Sequence, residues 1–451
     1  MGLHRVNAGY TLLAQLRPDR VAAARALLAE YDADHRRLPF ERSPTTHFAT
    51  VTIIPAQRYR DQELPATLMV ATSFCGPAPV HVRELVRVLG EPLRALFAHC
   101  EGFTAGCDDD ELEAFIRDHR RADTFYSGMQ HLSPEDVRRH RELRDAIEDF
   151  LDGWQARGEL PADPMAVRRE IQSYVRSRTD LVWALESFEP PPSAWLALHW
   201  RALIVQGAAA TLLVATATRL LFVKSAMLTA AVGSAWIAVL VLAVIAAGLV
   251  ISIREAELRQ QYVSSRRPDA DVRELARTQN RPVINEFTVA GPIKEEGLLR
   301  PVFLRIALWL VARGAEGVPG LLAGIEIPTV ATARWIAADG GRRLIFISNY
   351  TNAAEPYVRD FIDVEDGARN INLTFGFGKG YPKTRWITKD GALTDPNAFI
   401  YVVTENQRPT AFWYGPYRDM TIDNIKINRK IREGLFAELD EDGARAWLHL
   451  L

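Results

Sequence analysis

Residues 202–253 contain two long apolar runs: ALIVQGAAATLLVATATRLLFV at 202–223 and AMLTAAVGSAWIAVLVLAVIAAGLVISI at 226–253. Only Lys224 and Ser225 separate them. A helix needs roughly 20 apolar residues to cross a bilayer core of about 30 Å, and each run is long enough. We therefore predict a transmembrane helical hairpin at residues 201–254. The alternative is a buried hairpin in a soluble protein, although such long uncharged runs are uncommon in soluble cores.

The charges around the hairpin predict its orientation. Basic residues flank both ends of the apolar stretch: His199 and Arg201 before it, and Arg254, Arg259, Arg266 and Arg267 after it. Because cytoplasmic flanks are enriched in Lys and Arg, we expect both soluble parts in the cytoplasm. Arg219 and Lys224 fall at the predicted turn, where their side chains could extend to the opposite interface. The N-terminal residues contain no apolar core of signal-peptide length.

Composition gives no indication of nucleic-acid binding or of a thiolate metal site. The 451 residues include 54 Lys and Arg against 56 Asp and Glu, so no overall field favours nucleic acid or an acidic partner. The three cysteines form no CxxC pair, which indicates a reducing compartment and no thiolate metal site. The length is sufficient for two domains in addition to the apolar insert.

Strand and helix patterns occur in the same order on both sides of the hairpin. Each side reads strand, helix, strand, strand, helix, then a strand and a closing helix, which is the split βαβ order. We predict an N-terminal ferredoxin-like domain at 1–153, a helical connector at 154–200, the hairpin at 201–254 and a C-terminal ferredoxin-like domain at 255–451.

Residue matches between the halves indicate an internal duplication. Residues 72–74 align with 348–350, residues 82–86 with 358–362, and residues 125–147 with 413–435 without a gap. The predicted fold class is therefore α+β: two ferredoxin-like repeats packed as a pseudo-dimer, with the transmembrane hairpin inserted between them.

The C-terminal half resembles a group of largely uncharacterised bacterial membrane proteins. The resemblance depends on the sequence around residues 329–350, the stretch at 381–386 and the stretch at 413–435. The group's pattern has Ile-His-Phe-Ala-Arg-Trp on one strand and Ser-Asn-Tyr-Asp-Gly-Ser-Trp at the end of the next. This chain departs from it at Ala331 and Thr332, and at residues 351–354. At fold level it is similar to the dimeric α/β-barrel superfamily, which includes haem-binding dye-decolourising peroxidases and chlorite dismutases.

That similarity implies a haem pocket as one hypothesis. A haem enzyme needs an axial ligand, commonly histidine. No histidine occurs between Arg254 and Leu448, whereas the N-terminal half offers His47 on a strand and His131 before a helix. A solvated or packed histidine is the alternative for both.

A second set of polar residues in the C-terminal half forms a candidate ligand site. We expect Arg334 and Arg359 to converge on a carboxylate or a lipid headgroup, unless each is an ordinary surface arginine. The other candidates are Asp363, Tyr350 and Tyr414. The helix predicted from residue 298 to residue 312 could lie on a membrane, because Arg300 and Arg305 are its only polar residues besides the closing arginine; a fully buried helix is the alternative.

Together these patterns predict a binding or assembly module anchored in a bacterial inner membrane, with its soluble domains in the cytoplasm. The expected partners are the lipid bilayer and a further copy of the chain, without nucleic acid or a resident metal. The alternative is an enzyme, a haem-dependent or lipid-directed oxidoreductase resembling a peroxidase, with its pocket in the N-terminal repeat.

Overall fold

The computed structural model describes residues 6–129, 131–158, 161–186, 283–297, 299–317, 329–351, 357–359 and 371–451, with scattered positions from 208 to 259. The strands are β1 Asn7–Gln15, β2 Thr46–Ile54, β3 Gln57–Tyr59, β4 Gln62–Leu64, β5 Thr67–Cys75, β6 Arg120–Arg121, β7 Thr124–Ser127, β8 Ile284–Pro292, β9 Val330–Ala338, β10 Arg343–Thr351, β11 Thr384–Arg385, β12 Lys389–Asp390, β13 Gln407–Arg408 and β14 Phe412–Tyr414. The helices are α1 Val21–Ala33, α2 Ala78–Phe97, α3 Asp109–Asp118, α4 Pro134–Ala156, α5 Pro164–Ser177, α6 Arg300–Gly317, α7 Pro396–Asn406, α8 Ile422–Gly434 and α9 Glu441–Leu448.

Ten of these strands form two five-stranded antiparallel sheets. The first sheet has the order β14-β2-β5-β1-β6, and the second has the order β7-β9-β10-β8-β13. The long strands suit this role because they are rich in β-branched and aromatic residues, and both of their faces are buried. The prediction of a mixed α+β fold with antiparallel sheets is confirmed.

Each sheet receives one short strand from the distant part of the chain. β14, near the C-terminus, pairs with β2, and β7, from the N-terminal half, pairs with β9. The sequence analysis predicted both strands but not their partners. These exchanged pairings tie the two sheets together.

The two sheets pack face to face and carry helices on their outer faces. Leu13 and Met69 of the first sheet share an apolar cluster with Ile336 and Ile345 of the second. The outer face of the first sheet packs against α1, α2 and α3, and that of the second packs against α6 and α7. The result is a four-layer arrangement in which α2 and α6 lie on opposite faces.

The helices α4 and α8 pack against each other beside the sheets. Both begin with a capping box, Ser133 with Asp136 in α4 and Thr421 with Asn424 in α8. The sequence predicts one closing helix from residue 421 to residue 439, and this prediction is wrong in its end, because α8 stops at Gly434 and α9 follows separately. An added Cβ at Gly434 would lie 2.2 Å from Trp447 Cδ1, so the corner allows α9 to pack closely.

In the part of the chain that the structure describes, no helix is both long and apolar enough to cross a membrane. Most of the predicted hairpin, residues 201–254, lies outside the described residues.

Candidate functional site

Helix α6, together with Leu299 just before it, presents an apolar stripe to solvent. Leu299, Val302, Ile306 and Trp309 follow one another at intervals of three or four residues and are 44%, 46%, 40% and 57% exposed. The opposite side of α6 is buried against the second sheet through Phe303, Leu304, Ala307 and Leu308. The alternative of a fully buried helix is therefore wrong. Phe303 and Leu308 belong to the buried side, not to the exposed stripe.

A groove of about 890 Å³ lies beside this stripe. Its lining comes from the crossing between β6 and β7, from α6, and from the end of β9: Arg121, Ala122, Asp123, Thr124, Val302, Arg305, Ile306, Leu308, Trp309, Trp335, Ala337, Asp339 and Gly340. Thr124 Oγ1 donates a hydrogen bond of 2.9 Å to the carbonyl oxygen of Leu308, which fixes α6 against β7. One wall of the groove is therefore rigidly attached to the sheet.

In the described chain, the two carboxylates that line the groove form ion pairs, whereas the two arginines that line it do not. Asp123 lies 3.6 Å from the buried guanidinium of Arg334, and Asp339 lies 3.2 Å from that of Arg343. Arg121 donates to the backbone carbonyl of Arg120 at 3.0 Å. Among the described residues neither Arg121 nor Arg305 has a carboxylate partner. The groove therefore has an excess of positive charge.

The groove is also lined by the aromatic ring of Trp335. Trp335 packs against Phe346 and Phe375, with ring centroids 4.9 Å and 6.4 Å apart. Its Nε1–H is buried and has no acceptor within the described part of the chain. A buried donor without a partner costs about 1–3 kcal/mol.

A smaller cavity of about 170 Å³ adjoins the groove and shares Arg121, Asp339 and Gly340 with it. Gln15, Thr67 and Arg343 complete its polar lining. Burial lowers the pKa of Arg343, and the nearby Asp339 carboxylate opposes this shift. The polar end of the groove is therefore at Arg121, and its apolar wall is along α6.

His47 occupies a buried position at a register shift in β2. Its Nε2 lies 3.1 Å from the amide nitrogen of Asn7, which must donate, and its Nδ1 lies 2.6 Å from the hydroxyl of Tyr417. These partners assign the proton to Nδ1. Burial lowers the pKa of His47 to about 4, so the ring is neutral at neutral pH. Both ring nitrogens are engaged, and the geometry does not fit an axial haem ligand.

His131 lies in a turn before α4 with φ of 63°. The side chain is partly buried, and burial together with the charge of Arg429 lowers its pKa. Its Nδ1 has no hydrogen-bond partner among the described residues. Within that part of the chain, no group of three His, Cys, Asp or Glu side chains is arranged to hold a metal ion.

Arg334 is buried between the two sheets and is 2% exposed. Its guanidinium donates to the Thr72 carbonyl oxygen at 2.9 Å and to Ser73 Oγ, and lies over the Phe125 ring at 5.1 Å. Arg359 is exposed. Arg334 is therefore neither a surface arginine nor part of a shared anion site with Arg359, because its donors are used by the first sheet.

The predicted tyrosines lie in packed surroundings. Tyr350 stacks on Tyr357 with ring centroids 4.0 Å apart, and burial raises the pKa of Tyr350. Tyr414 stacks on Phe40 at 6.0 Å, and burial raises its pKa to about 12. Asp363 lies outside the described residues. The sequence pattern placed Trp309 and Arg305 on a helix that could lie on a membrane, but it did not point to Arg121 or Trp335 as lining residues of a groove.

The described chain defines a mixed α+β protein of two packed antiparallel sheets, with an amphipathic groove beside an exposed apolar helix. No protein-family model matches the chain, and no curated protein or solved structure matches it. The resemblance to bacterial membrane proteins and to the dimeric α/β-barrel superfamily stays a prediction.

Proposed function

We propose that the protein is a membrane-anchored binding or assembly module of a bacterial inner membrane, with its soluble body on the cytoplasmic side. Residues 201–254 form its transmembrane hairpin, and the α6 stripe rests against the lipid surface. The observation that carries this proposal is the exposed stripe of α6, because four large apolar side chains on one side of a helix are typical of an interfacial contact.

The end of the predicted hairpin is attached to the body close to α6. Glu257 is buried and accepts hydrogen bonds from Thr384 Oγ1 at 2.8 Å and from the backbone N–H groups of Ile387 and Trp386 at 2.9 Å and 3.1 Å. Arg254 pairs with the same carboxylate at 3.0 Å. These contacts support a fixed exit of the hairpin from the body.

The charge of Glu257 also reaches the start of α6. Burial lowers the pKa of Arg300, and the carboxylates of Glu296 and Glu257 oppose this shift. Glu257, which follows the predicted hairpin, is therefore close enough to the start of α6 for its charge to act on Arg300. This proximity supports one continuous membrane-facing region that includes Trp386, which is 52% exposed beneath Arg254.

We infer that two ferredoxin-like repeats build the body as a pseudo-dimer. The equivalent strand order of the two sheets supports this inference. Each half also contains a stacked ring pair: Phe74–His81, with ring centroids 3.9 Å apart, and Tyr350–Tyr357, with ring centroids 4.0 Å apart. These pairs occupy matching positions in the sequence alignment of the halves. An oxidoreductase role has no comparable support, since His47 has no free ring nitrogen.

Alkaline carbonate extraction of membranes that contain the full-length protein tests the anchor. We expect the protein to stay in the membrane pellet. Replacing Leu240 and Leu242 by arginine should release part of it, because each arginine costs about 2.5–3.5 kcal/mol at the centre of a membrane helix. The matched control is Val182→Arg, at a residue that is 52% exposed outside the hairpin. Complete extraction of the unmodified protein would contradict the proposal.

A further inference from the structure

We propose that the groove beside α6 binds one molecule of an anionic lipid, with its headgroup at Arg121 and an acyl chain along α6. The inference goes beyond membrane anchorage, because it concerns a single lipid in a defined site. The volume of about 890 Å³ lies within the roughly 300–1,000 Å³ of typical ligand pockets.

Charge complementarity selects an anion. Both carboxylates that line the groove are neutralised by buried arginines, whereas Arg121 and Arg305 have no carboxylate partner in the described structure. A carboxylate or phosphate headgroup would accept hydrogen bonds from a guanidinium in a charge-assisted geometry. A neutral or cationic headgroup would leave these arginines uncompensated.

The distribution of polar and apolar groups selects an amphiphile. Arg121 and Arg343 gather at the end where the groove meets the smaller cavity. The side formed by α6 carries Val302, Ile306 and Trp309, with Arg305 as its one charged side chain. A small hydrophilic anion would leave this wall in contact with water, whereas an acyl chain would cover it.

The ring of Trp335 adds to the apolar lining of the groove. Its Nε1–H is buried beneath the surface and is not offered to a ligand. The site therefore combines two cations with an apolar wall.

Native mass spectrometry of the full-length protein in neutral detergent tests the proposal. Three probes are added separately: oleate, phosphatidylglycerol and zwitterionic phosphatidylcholine. We expect one oleate or one phosphatidylglycerol per chain, and about tenfold less phosphatidylcholine. The anionic probe that is retained distinguishes a free fatty acid from a membrane phospholipid as the source.

Two variants locate the bound lipid. Ala337→Trp fills the groove, and Arg305→Glu reverses a charge at an exposed position where misfolding is not expected. Each should lower retention of the anionic probe about tenfold. Leu299→Ser is the matched control, since Leu299 belongs to the stripe but does not line the groove.

Equal retention of all three probes, or unchanged retention in Arg305→Glu, would overturn the proposal. Absence of any adduct would also overturn it. These outcomes do not depend on carbonate extraction, because the adducts are measured in detergent. Failure of the lipid site and failure of the membrane anchor are therefore distinguishable.

Discussion

At the scale of single residues, the interior between the sheets is polar as well as apolar. Arg334 donates a hydrogen bond to Ser73 Oγ, which in turn donates to Thr332 Oγ1. Thr332 Oγ1 also accepts from the side-chain amide of Asn349. The Oδ1 of Asn349 accepts a 2.9 Å hydrogen bond from Trp413 Nε1. This network joins both sheets and includes the exchanged strand β14. Because its buried polar groups have partners, it specifies how the sheets face each other.

The position of Gly9 allows this arrangement. A Cβ there would lie 2.8 Å from Asp123 Oδ2 and 2.8 Å from Phe125 Cδ2. We expect Gly9→Ala to reduce the free energy of unfolding by about 1–3 kcal/mol, because the sheets must separate to admit the methyl group. Thermal unfolding measures the effect.

Gly153→Ala is the control for this substitution. Gly153 lies in α4, where an added Cβ would come no closer than 3.7 Å to Arg157. Alanine should stabilise the helix there by about 0.5–1 kcal/mol. Equal effects of the two substitutions would contradict the close approach at Gly9.

Two buried histidines predict a loss of stability in acid. Burial lowers the pKa of His47 to about 4 and that of His81 to about 3. The unfolded chain binds these protons below about pH 6.5, whereas the folded protein does not. The free energy of unfolding should therefore fall as the pH drops from about 6.5 towards each folded pKa, by up to ~1.4 kcal/mol per pH unit for each histidine.

Unfolding of the wild type and His81→Gln across this pH range checks the prediction. The variant should be less stable at neutral pH but lose stability less steeply in acid, because one proton no longer distinguishes the two states. His449→Gln is the control, since His449 is exposed. The same pH dependence in wild type and His81→Gln would show that His81 is not buried in its neutral form.

At the scale of elements, most helices and strands could be predicted from their periodicity and caps. The sequence predicts a helix capped by Ser133 and a helix that begins at Thr421, and in the structure the two side chains accept hydrogen bonds from backbone N–H groups in the first turns of α4 and α8. The end of α8 could not be predicted, since it depends on Trp447, whose Nε1 donates to the Ile431 carbonyl oxygen at 3.0 Å. Helix α7, at Pro396–Asn406, was not predicted from the sequence.

The attachment of Glu257 to the β11–β12 turn is a testable contact between elements. Trp386 and Ile387 have φ of 54° and 67°, and both donate backbone hydrogen bonds to this carboxylate. Glu257→Gln removes the charge and places an amide donor near these N–H groups. We expect about 10- to 100-fold faster hydrogen exchange at both amides, from a loss of about 1–3 kcal/mol.

Glu255→Gln is the matched control for this exchange experiment. Glu255 is exposed and lies 3.8 Å from Arg259, so its removal should leave exchange at Trp386 and Ile387 unchanged. Protection that is the same in Glu257→Gln as in the wild type would contradict the proposed attachment.

At the scale of the whole molecule, the sequence predicted the fold class but not the exchange of β7 and β14. These strands have only four and three residues, and their partners β9 and β2 are distant in the chain. Short strands have no strong periodicity, and partner choice depends on packing between the sheets. The groove was unpredictable for the same reason, since Arg121 and Trp335 meet only in the folded protein.

The burial of Arg334 also depends on how the two sheets pack together. Its sequence pattern indicated an arginine on a strand, which the structure places in β9. Whether that side chain faces solvent depends on a second sheet packing over it. The hydrogen-bond acceptors Thr72 and Ser73 come from the other half of the chain, so local sequence could not predict its role.

Helix α6 is proposed to face the membrane, and a nitroxide label at position 309 reports on that orientation. All three native cysteines are buried, so Trp309→Cys and Val80→Cys each provide one exposed thiol in the full-length protein. Val80 is the control because α2 lies on the opposite outer face. In vesicles containing anionic phospholipid, we predict that label 309 contacts oxygen in the lipid and is shielded from a water-soluble nickel complex, whereas label 80 stays accessible to nickel. Equal accessibility of both labels to nickel would contradict the account.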